Sequence, residues 1–255
     1  MSRLTSTAVV LRTKPYGESD LIVDLLTESH GRTCVIAKGA LRSKKRYMGV
    51  LEIGHILKVD YLIKPQLSVL GPCDIVHSQW KIRQSLKALK QLYYILEICL
   101  MATPYEEQDL ALFQSLVELL SALESEPGLE ESYIFAWELR LFGHLGYQIT
   151  IDRCPLSNEA PDGFSALTGG TVSAKAGKPY WPVNREALRT LYKLQHQPQR
   201  EFNYESLFSL EEEQQIRIAF AGLWSSICGT TFKTLSVFEA INQPQTSVPS
   251  IDLIS

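Results

Sequence analysis

The sequence predicts an α+β fold, in which an N-terminal OB-like five-stranded barrel is followed by an α-helical domain with an irregular central loop. Residues 5–76 contain short β-branched segments separated by turn residues, a pattern typical of small all-β domains. After Trp80 the apolar residues recur at intervals of three and four, which indicates amphipathic helices. The chain has 255 residues, of which 45% are hydrophobic, so it is long and apolar enough to form two cores.

Five strands are predicted in the first domain, over the segments TAVVLR, LIVDLLT, RTCVIAKG, residues 51–63 and LSVLGPCDIV. The clearest is 52–63, where apolar and polar residues alternate with the period of a strand that buries one face. His55 falls on the apolar side of this strand, and we expect it in the core or at its rim. So many short strands with tight turns predict a closed barrel, although an SH3-like barrel or a small sandwich would have nearly the same pattern.

Helical spacing predicts the first helix from Ile82 to about Ala102. A capping box at residues 103–106 predicts that the second helix begins there, and a Pro-Gly pair at 127–128 predicts its end. The third helix is expected over about 130–145, with Gly146 in the left-handed conformation that commonly follows a helix.

The remainder of the second domain is less regular. Residues 150–184 are rich in Gly, Pro, Ser and Asp, and we expect an irregular loop there. A further helix is predicted after Asn184, and another at the capping box formed by Ser209 and Glu212. No apolar run approaches the roughly 18 to 20 residues that span a bilayer, and the N-terminus lacks the apolar block of a signal peptide, so we expect a cytoplasmic protein without a membrane partner.

The formal net charge of −3 is an average of two opposite segments. Residues 1–64 contain 11 Lys and Arg against 6 Asp and Glu, whereas residues 100–132 contain 8 acidic residues and no Lys or Arg. A basic domain attracts phosphate whatever the net charge of the whole chain. We therefore predict an OB-like nucleic-acid-binding domain over residues 1–80, a helical domain over 81–242 and a flexible tail over 243–255.

The densest cationic segment, residues 38–46, leaves a predicted strand as a loop. This segment is the cationic loop, and its basic residues are Lys38, Arg42, Lys44, Lys45 and Arg46. Flexible basic side chains bind backbone phosphates and release condensed counterions, so their binding is largely independent of sequence and strongly dependent on salt. Arg12, Lys14 and Arg32 add positive charge at strand ends of the same domain. A solvated surface loop is the alternative for any isolated run of charge.

Two further patterns of the basic residues leave alternatives open. Tyr16 and Tyr47 lie among the cations, where an exposed base could stack on them, but packing in the core or at its rim is the simpler expectation. On the first helix, a second basic stripe is predicted at a spacing of i, i+4 and i+7, with Tyr94 continuing the row. The basic residues of this stripe are Arg83, Lys87 and Lys90. They either extend a nucleic-acid surface or pair with the acidic residues of segment 106–131.

The sequence offers little for catalysis. It contains no Walker loop, GxGxxG, HExxH or paired-carboxylate signature. Cys154 and His144 could in principle form a nucleophile and base, but no third residue that would orient them is evident. The five cysteines are widely spaced without a CxxC pair, so we expect reduced and mostly buried thiols. An enzyme is therefore the least expected class.

Two stretches of the chain resemble the RecO family of recombination mediators. The segment VLRTKPYGESDLIVDLLTESHGRTCVIAKGALRSKKR is similar to the N-terminal part of that family, particularly at Glu18, Thr27, Gly31 and Lys38-Gly39. Residues 137–147, WELRLFGHLGY, resemble the family's helix that enters the central loop. A weaker similarity is Phe232-Lys233-Thr234 before the family's last helix.

The resemblance implies a DNA repair and recombination mediator. A member of this family is expected to bind single- and double-stranded DNA, to anneal strands, and to load the recombinase RecA, with RecR, onto DNA coated by single-strand-binding protein. Such a protein would be cytoplasmic and associated with the bacterial nucleoid. Many members hold zinc with four cysteines in the central loop, but the matching positions here are Cys154, Ser157, Ser173 and Ala176. Because serine and alanine supply no thiolate, we expect no zinc and no other cofactor.

The hypothesis from the sequence is that the cationic loop, with Arg12 and Arg32, binds phosphates along the barrel. Two strands on one cationic surface repel each other less, so annealing would need no nucleotide hydrolysis. The helical domain would take the acidic, apolar-ended tail of single-strand-binding protein, and the candidate residues, chosen only as cations of that domain, are Arg140, Arg153, Arg185 and Arg189. The rival hypotheses are an OB-fold RNA-binding protein and a protein adaptor that does not bind nucleic acid.

Overall fold

The first domain is a closed five-stranded barrel in the computed structural model, which describes residues 3–196 and 206–234. The strands run in the order β1-β2-β3-β5-β4, and β4 pairs with β1 to close the barrel. All pairs are antiparallel except β3 with β5. This closure confirms the predicted OB-like barrel over a sandwich. The strands are β1 (Arg3–Tyr16), β2 (Asp20–Thr27), β3 (Gly31–Ala37), β4 (Ile56–Leu62) and β5 (Ser68–His77).

Both faces of the central part of β1 are buried. Ala8 and Val10 point into the barrel core, whereas Val9 and Leu11 belong to the core of the helical domain. Successive side chains of a strand point to opposite faces, so β1 contributes to two cores at once. Burial on both faces explains why the centre of the segment TAVVLR is continuously apolar. Strand β1 therefore couples the barrel directly to the helices.

The predicted start of the fourth strand was wrong. β4 begins at Ile56, and residues 51–55 form a turn in which Gly54 has a φ of +81° and donates its backbone amide to the Val10 carbonyl. Leu51 is nevertheless buried in the barrel core. A turn that buries its apolar residues therefore imitates the alternation of a strand. His55 is buried beside the Val50 carbonyl, which confirms its expected position.

Five helices follow in the described part of the second domain, and none of them is long and apolar enough to span a membrane. The first begins later than predicted, because a single 3-10 turn at 82–84 precedes it and the Ser85 hydroxyl caps the Ala88 amide. The helices are α1 (Leu86–Ala102), α2 (Leu110–Ser125), α3 (Glu131–His144), α4 (Arg185–His196) and α5 (Leu210–Cys228).

The predicted start of the second helix was also wrong. α2 begins at Leu110, where the Asp109 carboxylate accepts a hydrogen bond from the Leu112 amide. Residues 103–109 instead contact the barrel without forming a helix, and the backbone amide of Glu106 donates to the carbonyl of Arg32. Contacts with a distant strand thus override the local capping signal.

The caps of two other helices confirm the predictions. Gly146 has a φ of +84°, and the Tyr147 amide donates to the Phe142 carbonyl, as in a Schellman motif. Ser209 and Glu212 form the predicted capping box at the start of α5. The loop 150–184 is more regular than expected, because it contains a small antiparallel sheet of β6 (Gly163–Ser165), β7 (Gly170–Val172) and β8 (Trp181–Pro182). The predicted tail 243–255 lies outside the described residues.

A polar network lies inside the helical domain. The side chain of Glu138 is fully buried, and its carboxyl accepts hydrogen bonds from the Tyr94 hydroxyl and the Trp224 indole at 3.0 and 3.1 Å. The guanidinium of Arg217 lies over the ring of Tyr94 and pairs with Glu131. Burial raises the pKa of Glu138 to about 8, although the two hydrogen bonds oppose the shift.

The approach of residues 103–109 to the barrel predicts the effect of Gly31→Ala. Gly31 has a φ of +65°, and a Cβ there would lie 1.8 Å from the Glu107 carbonyl oxygen. Gly17 has a φ of +61° with nothing within 4 Å of its would-be Cβ, so Gly17→Ala is the matched control for backbone strain alone. We expect Gly17→Ala to cost about 1 to 2 kcal/mol and Gly31→Ala to cost a further ~1 to 3 kcal/mol in denaturant unfolding. Equal losses would contradict this close approach.

The buried network predicts a pH dependence. The pKa of Glu138 is raised above its unfolded value of 4.5, so the folded state holds an extra proton between about pH 4.5 and 8. The stabilisation from Glu138 is complete below this window and is lost as the pH rises through it. Glu138→Gln keeps the acceptor oxygen without the titration. We therefore expect the thermal midpoint of the wild type to fall relative to that of Glu138→Gln between pH 6 and 8, and parallel curves would contradict the raised pKa.

Candidate nucleic-acid interface

The cationic loop leaves β3 beside the hairpin between β1 and β2. Gly39 has a φ of +69°, and its backbone amide donates to the Asp20 carboxylate at 2.8 Å. This bond, together with the Ser19 hydroxyl, lowers the pKa of Asp20 below its usual value. Ser43 accepts hydrogen bonds from the backbone amides of Arg46 and Tyr47, which closes the middle of the loop. The loop is therefore anchored at its start and at its middle.

The structure exposes every basic residue of the cationic loop. Arg42 is 68% exposed and pairs with Glu18, an ion pair that water and salt weaken. Arg46 lies over the ring of Tyr47 and reaches the Leu70 carbonyl. No ion pair of Lys44 or Lys45 occurs within the described residues. The loop thus presents its positive charge to solvent.

The two tyrosines of the basic domain occupy different environments. Tyr47 is buried in the barrel core and donates its hydroxyl to the Leu70 carbonyl, as core packing predicts. Tyr16 is 55% exposed at the end of β1. Two apolar side chains are also exposed here, Leu41 in the loop and Met48 two residues beyond its end, and no pattern in the sequence indicates their exposure. Exposed apolar groups among cations can contact bases while the cations contact phosphates.

Arg12 and Arg32 contact a shared carboxylate, that of Asp24. This carboxylate is buried and accepts hydrogen bonds from the Arg12 Nε and the Tyr105 hydroxyl, both at 2.8 Å. Burial raises the pKa of Asp24, but these bonds and the arginine charges outweigh it and lower the pKa overall. The side chain of Arg12 remains 38% exposed.

Arg32 is placed differently from the other predicted phosphate-binding residues. Its side chain is 11% exposed, and its guanidinium donates to the carbonyl of Leu100 at 2.7 Å and to the hydroxyl of Tyr105. It also lies over the Tyr105 ring. These contacts join the barrel to the end of α1 and to the segment that follows.

The second basic stripe does not form a single helical face. Arg83 lies in the 3-10 turn before α1 and pairs with Glu52, and Tyr94 is buried in the helical core. Lys87 is exposed, with its aliphatic chain against Gly128, and Lys90 is half-buried. The predicted row of four was therefore wrong: Arg83 leaves it because the 3-10 turn breaks the helical spacing, and Tyr94 leaves it because that part of α1 packs into the core.

The candidate arginines of the helical domain lie in two groups. Arg185 and Arg189 are one turn apart on α4, where they pair with Asp162 and Glu186. Both line a cavity of about 450 Å³, and the rest of its lining includes Ile151, Asp152, Pro161, Glu186, Leu188, Tyr192 and Lys193. Arg140 and Arg153 do not line this cavity, and Arg153 pairs with Asp152 at its edge.

The four positions that the sequence resemblance matches to zinc-binding cysteines do not offer a zinc-binding donor set. The Cys154 thiol is buried, which opposes its ionisation, but hydrogen bonds from the Ser157 hydroxyl and from backbone amides, including that of Ser173, lower its pKa to about 7. The structure therefore brings these positions together, yet Ala176 has no donor atom and the serines are neutral hydroxyls. No cluster of three or more His, Cys, Asp or Glu suited to a metal occurs within residues 3–196 and 206–234.

Several residues that carry the family resemblance have structural roles. Glu18 pairs with Arg42, and the Thr27 hydroxyl donates a hydrogen bond to the Gly31 carbonyl, which closes the hairpin before β3.

His144, the candidate catalytic base, has its Nε2 atom 2.7 Å from Asp109. At the other end of the chain, Phe232 stacks on the buried Tyr94.

Comparison with known proteins identifies the family. Residues 1–79 match the family described as Recombination protein O N terminal, and residues 83–215 match Recombination protein O C terminal. The chain is 34% identical to DNA repair protein RecO of Geobacter sulfurreducens over 73% of its length and 78% of that protein. It is 33% identical to DNA repair protein RecO of Myxococcus xanthus over 69% of its length and 74% of that protein. The chain therefore belongs to the RecO family of DNA repair proteins.

Proposed function

We propose that this protein binds single- and double-stranded DNA through the cationic loop, anneals complementary strands, and assists the loading of RecA onto single strands. A role in DNA repair and recombination follows from the family. The observation that carries the finer proposal is the anchored loop, which presents five basic side chains to solvent beside the barrel. Fixing the start of the loop while leaving Lys and Arg side chains mobile suits contact with a regular array of phosphates.

Annealing follows from charge neutralisation on one surface. Two phosphate backbones repel each other, and a cationic surface that neutralises part of both charges lowers the barrier to their encounter. This mechanism needs positive charge and no nucleotide hydrolysis. We accordingly propose a passive mediator and not an enzyme, acting at the bacterial nucleoid in the cytoplasm.

The cavity beside α4 supports the proposed protein partner. The acidic, apolar-ended tail of single-strand-binding protein requires cations next to a hydrophobic slot. Arg185, Arg189 and Lys193 line the cavity together with Leu188 and Tyr192. We propose these residues as the docking site for the tail, with RecR as a further partner and RecA engaged indirectly. Of the four arginines predicted for this role, Arg185 and Arg189 are the two that line the cavity.

The proposed DNA contact predicts the behaviour of the variant Lys44→Ala, Lys45→Ala, Arg46→Ala. We expect its dissociation constant for an oligonucleotide to rise at least about tenfold at 0.1 M salt, since three phosphate contacts are lost. For single strands, the slope of log K against log salt should decrease by about 2, at ~0.7 per contact. Fluorescence anisotropy over a salt series measures both quantities, and a FRET assay without ATP measures the loss of annealing.

The matched control removes the same charge elsewhere. Lys81, Lys175 and Lys178 are exposed lysines outside the loop, and their triple replacement by Ala leaves the loop intact. We expect this control to retain most of the wild-type affinity and slope. An equal loss in both variants would mean that net charge, and not the loop, determines binding. Competition between DNA and RNA of the same sequence tests the RNA-binding alternative, and no binding in dilute buffer would favour the protein adaptor.

We also propose that the central loop is stable without zinc. Elemental analysis of the purified protein should return far less than one zinc per chain, because only Cys154 among the four positions is a thiol. A variant carrying Ser157→Cys, Ser173→Cys and Ala176→Cys restores four thiols and serves as the positive control, with an expected stoichiometry of one. Stoichiometric zinc in the wild type would contradict the proposal.

A further inference from the structure

A groove of about 610 Å³ lies between the barrel and the helical domain, and the cationic loop does not line it. We name it the domain groove. Most of its walls come from β1, α1 and the segment that follows α5, and Arg32 of β3 and Ile53 complete them. Its lining residues include Arg12, Lys14, Tyr93, Leu96, Leu100 and Lys233. Its volume is within the range of natural ligand sites, which is roughly 300 to 1,000 Å³.

The charge of the domain groove is mainly positive. Four basic side chains line it, of which Arg12 and Arg32 share an ion pair with the buried Asp24, and Glu97 is the acidic residue among the described lining residues. The Glu97 carboxylate accepts hydrogen bonds from the backbone amides of Lys233 and Thr234, both at 2.8 Å. Its oxygens are therefore engaged by the chain itself. A groove with this balance of charge favours an anionic ligand.

The domain groove also presents an aromatic ring. Tyr93 is 49% exposed, although its neighbours Leu92 and Tyr94 are fully or almost fully buried. No hydrogen bond of its hydroxyl occurs within the described residues. An aromatic face next to cations, above an apolar floor that includes Leu96 and Leu100, is the combination that holds a base and its phosphates.

The groove connects with the cationic loop along β1. Arg12, Lys14 and Tyr16 alternate along the strand, so they share one face of it. Tyr16 pairs with Asp20, the residue that anchors the start of the cationic loop. Four residues of strand span about 13 Å at roughly 3.3 Å each. One nucleic-acid strand could therefore contact both regions without leaving the protein.

We propose that the domain groove is a binding site for single-stranded nucleic acid, in which an unpaired base stacks on Tyr93 while Arg12 and Lys14 contact the adjacent phosphates. This inference rests on the proposed function and extends it. The bases of a duplex are stacked on each other and offer no free face to Tyr93. The groove therefore favours single strands over duplexes, whereas the cationic loop binds the phosphates of both.

The test is Tyr93→Ala, with Tyr93→Phe as the variant that keeps the ring. Tyr147 is exposed to almost the same extent outside the groove, so Tyr147→Ala is the surface control. Fluorescence anisotropy is measured with a thymidine 20-mer, an abasic strand of the same length and a duplex. Loss of one stacked base is worth ~1 to 3 kcal/mol, which corresponds to a five- to 150-fold weaker binding of the 20-mer. Binding of the abasic strand and the duplex should not change.

The outcomes separate this inference from the proposed function. It is supported if Tyr93→Ala weakens binding of the 20-mer alone, while Tyr93→Phe and Tyr147→Ala bind as the wild type does. It is overturned if Tyr93→Ala binds all three ligands normally while the triple variant of the cationic loop loses affinity, and the proposed function then stands. It is also overturned if Tyr93→Ala weakens all ligands equally. If the wild type binds none of the ligands, the proposed function fails as well.

Discussion

The buried carboxylate of Asp24 organises the junction between the two domains. It accepts hydrogen bonds from Arg12 and Tyr105 and forms an ion pair with Arg32. Arg32 in turn holds the end of α1 through the Leu100 carbonyl. A buried charge is costly unless it is paired and hydrogen-bonded, so this arrangement fixes the position of each partner. Partners of this carboxylate lie in the segment 103–109, through Tyr105, and in the lining of the domain groove, through Arg12 and Arg32.

The junction divides the basic residues of the barrel into two kinds. Arg32 forms hydrogen bonds with other parts of the chain and helps to join the barrel to the helical domain. The residues of the cationic loop, such as Lys44 and Lys45, are exposed on a loop that is anchored by Asp20 and Ser43. A count of basic residues in the sequence does not distinguish a buried, paired arginine from an exposed one. The exposed charge of the loop is free to meet phosphate, which is why the proposed function rests on the loop.

Local patterns in the sequence predicted the barrel, most of the helices and the cationic loop, because alternation, capping residues and charge runs act over a few positions. Long-range contacts account for the errors. The residues at 103–106 have the types of a capping box, but the Tyr105 hydroxyl donates to Asp24 and the Glu106 amide donates to the Arg32 carbonyl, so no helix begins there. Leu51 is buried in the barrel core although it lies in a turn and not in a strand. The domain groove could not be predicted, because it combines residues from β1, α1 and the chain after α5.

Polyanion recognition by the barrel with its exposed loop is the central requirement of the proposed function. The most direct measurement is the affinity of the wild-type protein for a single-stranded oligonucleotide over a series of salt concentrations. We expect tight binding in dilute buffer and a linear fall of log K with log salt, at a slope equivalent to several phosphate contacts. Absence of binding in dilute buffer, or an affinity that does not change with salt, would contradict it.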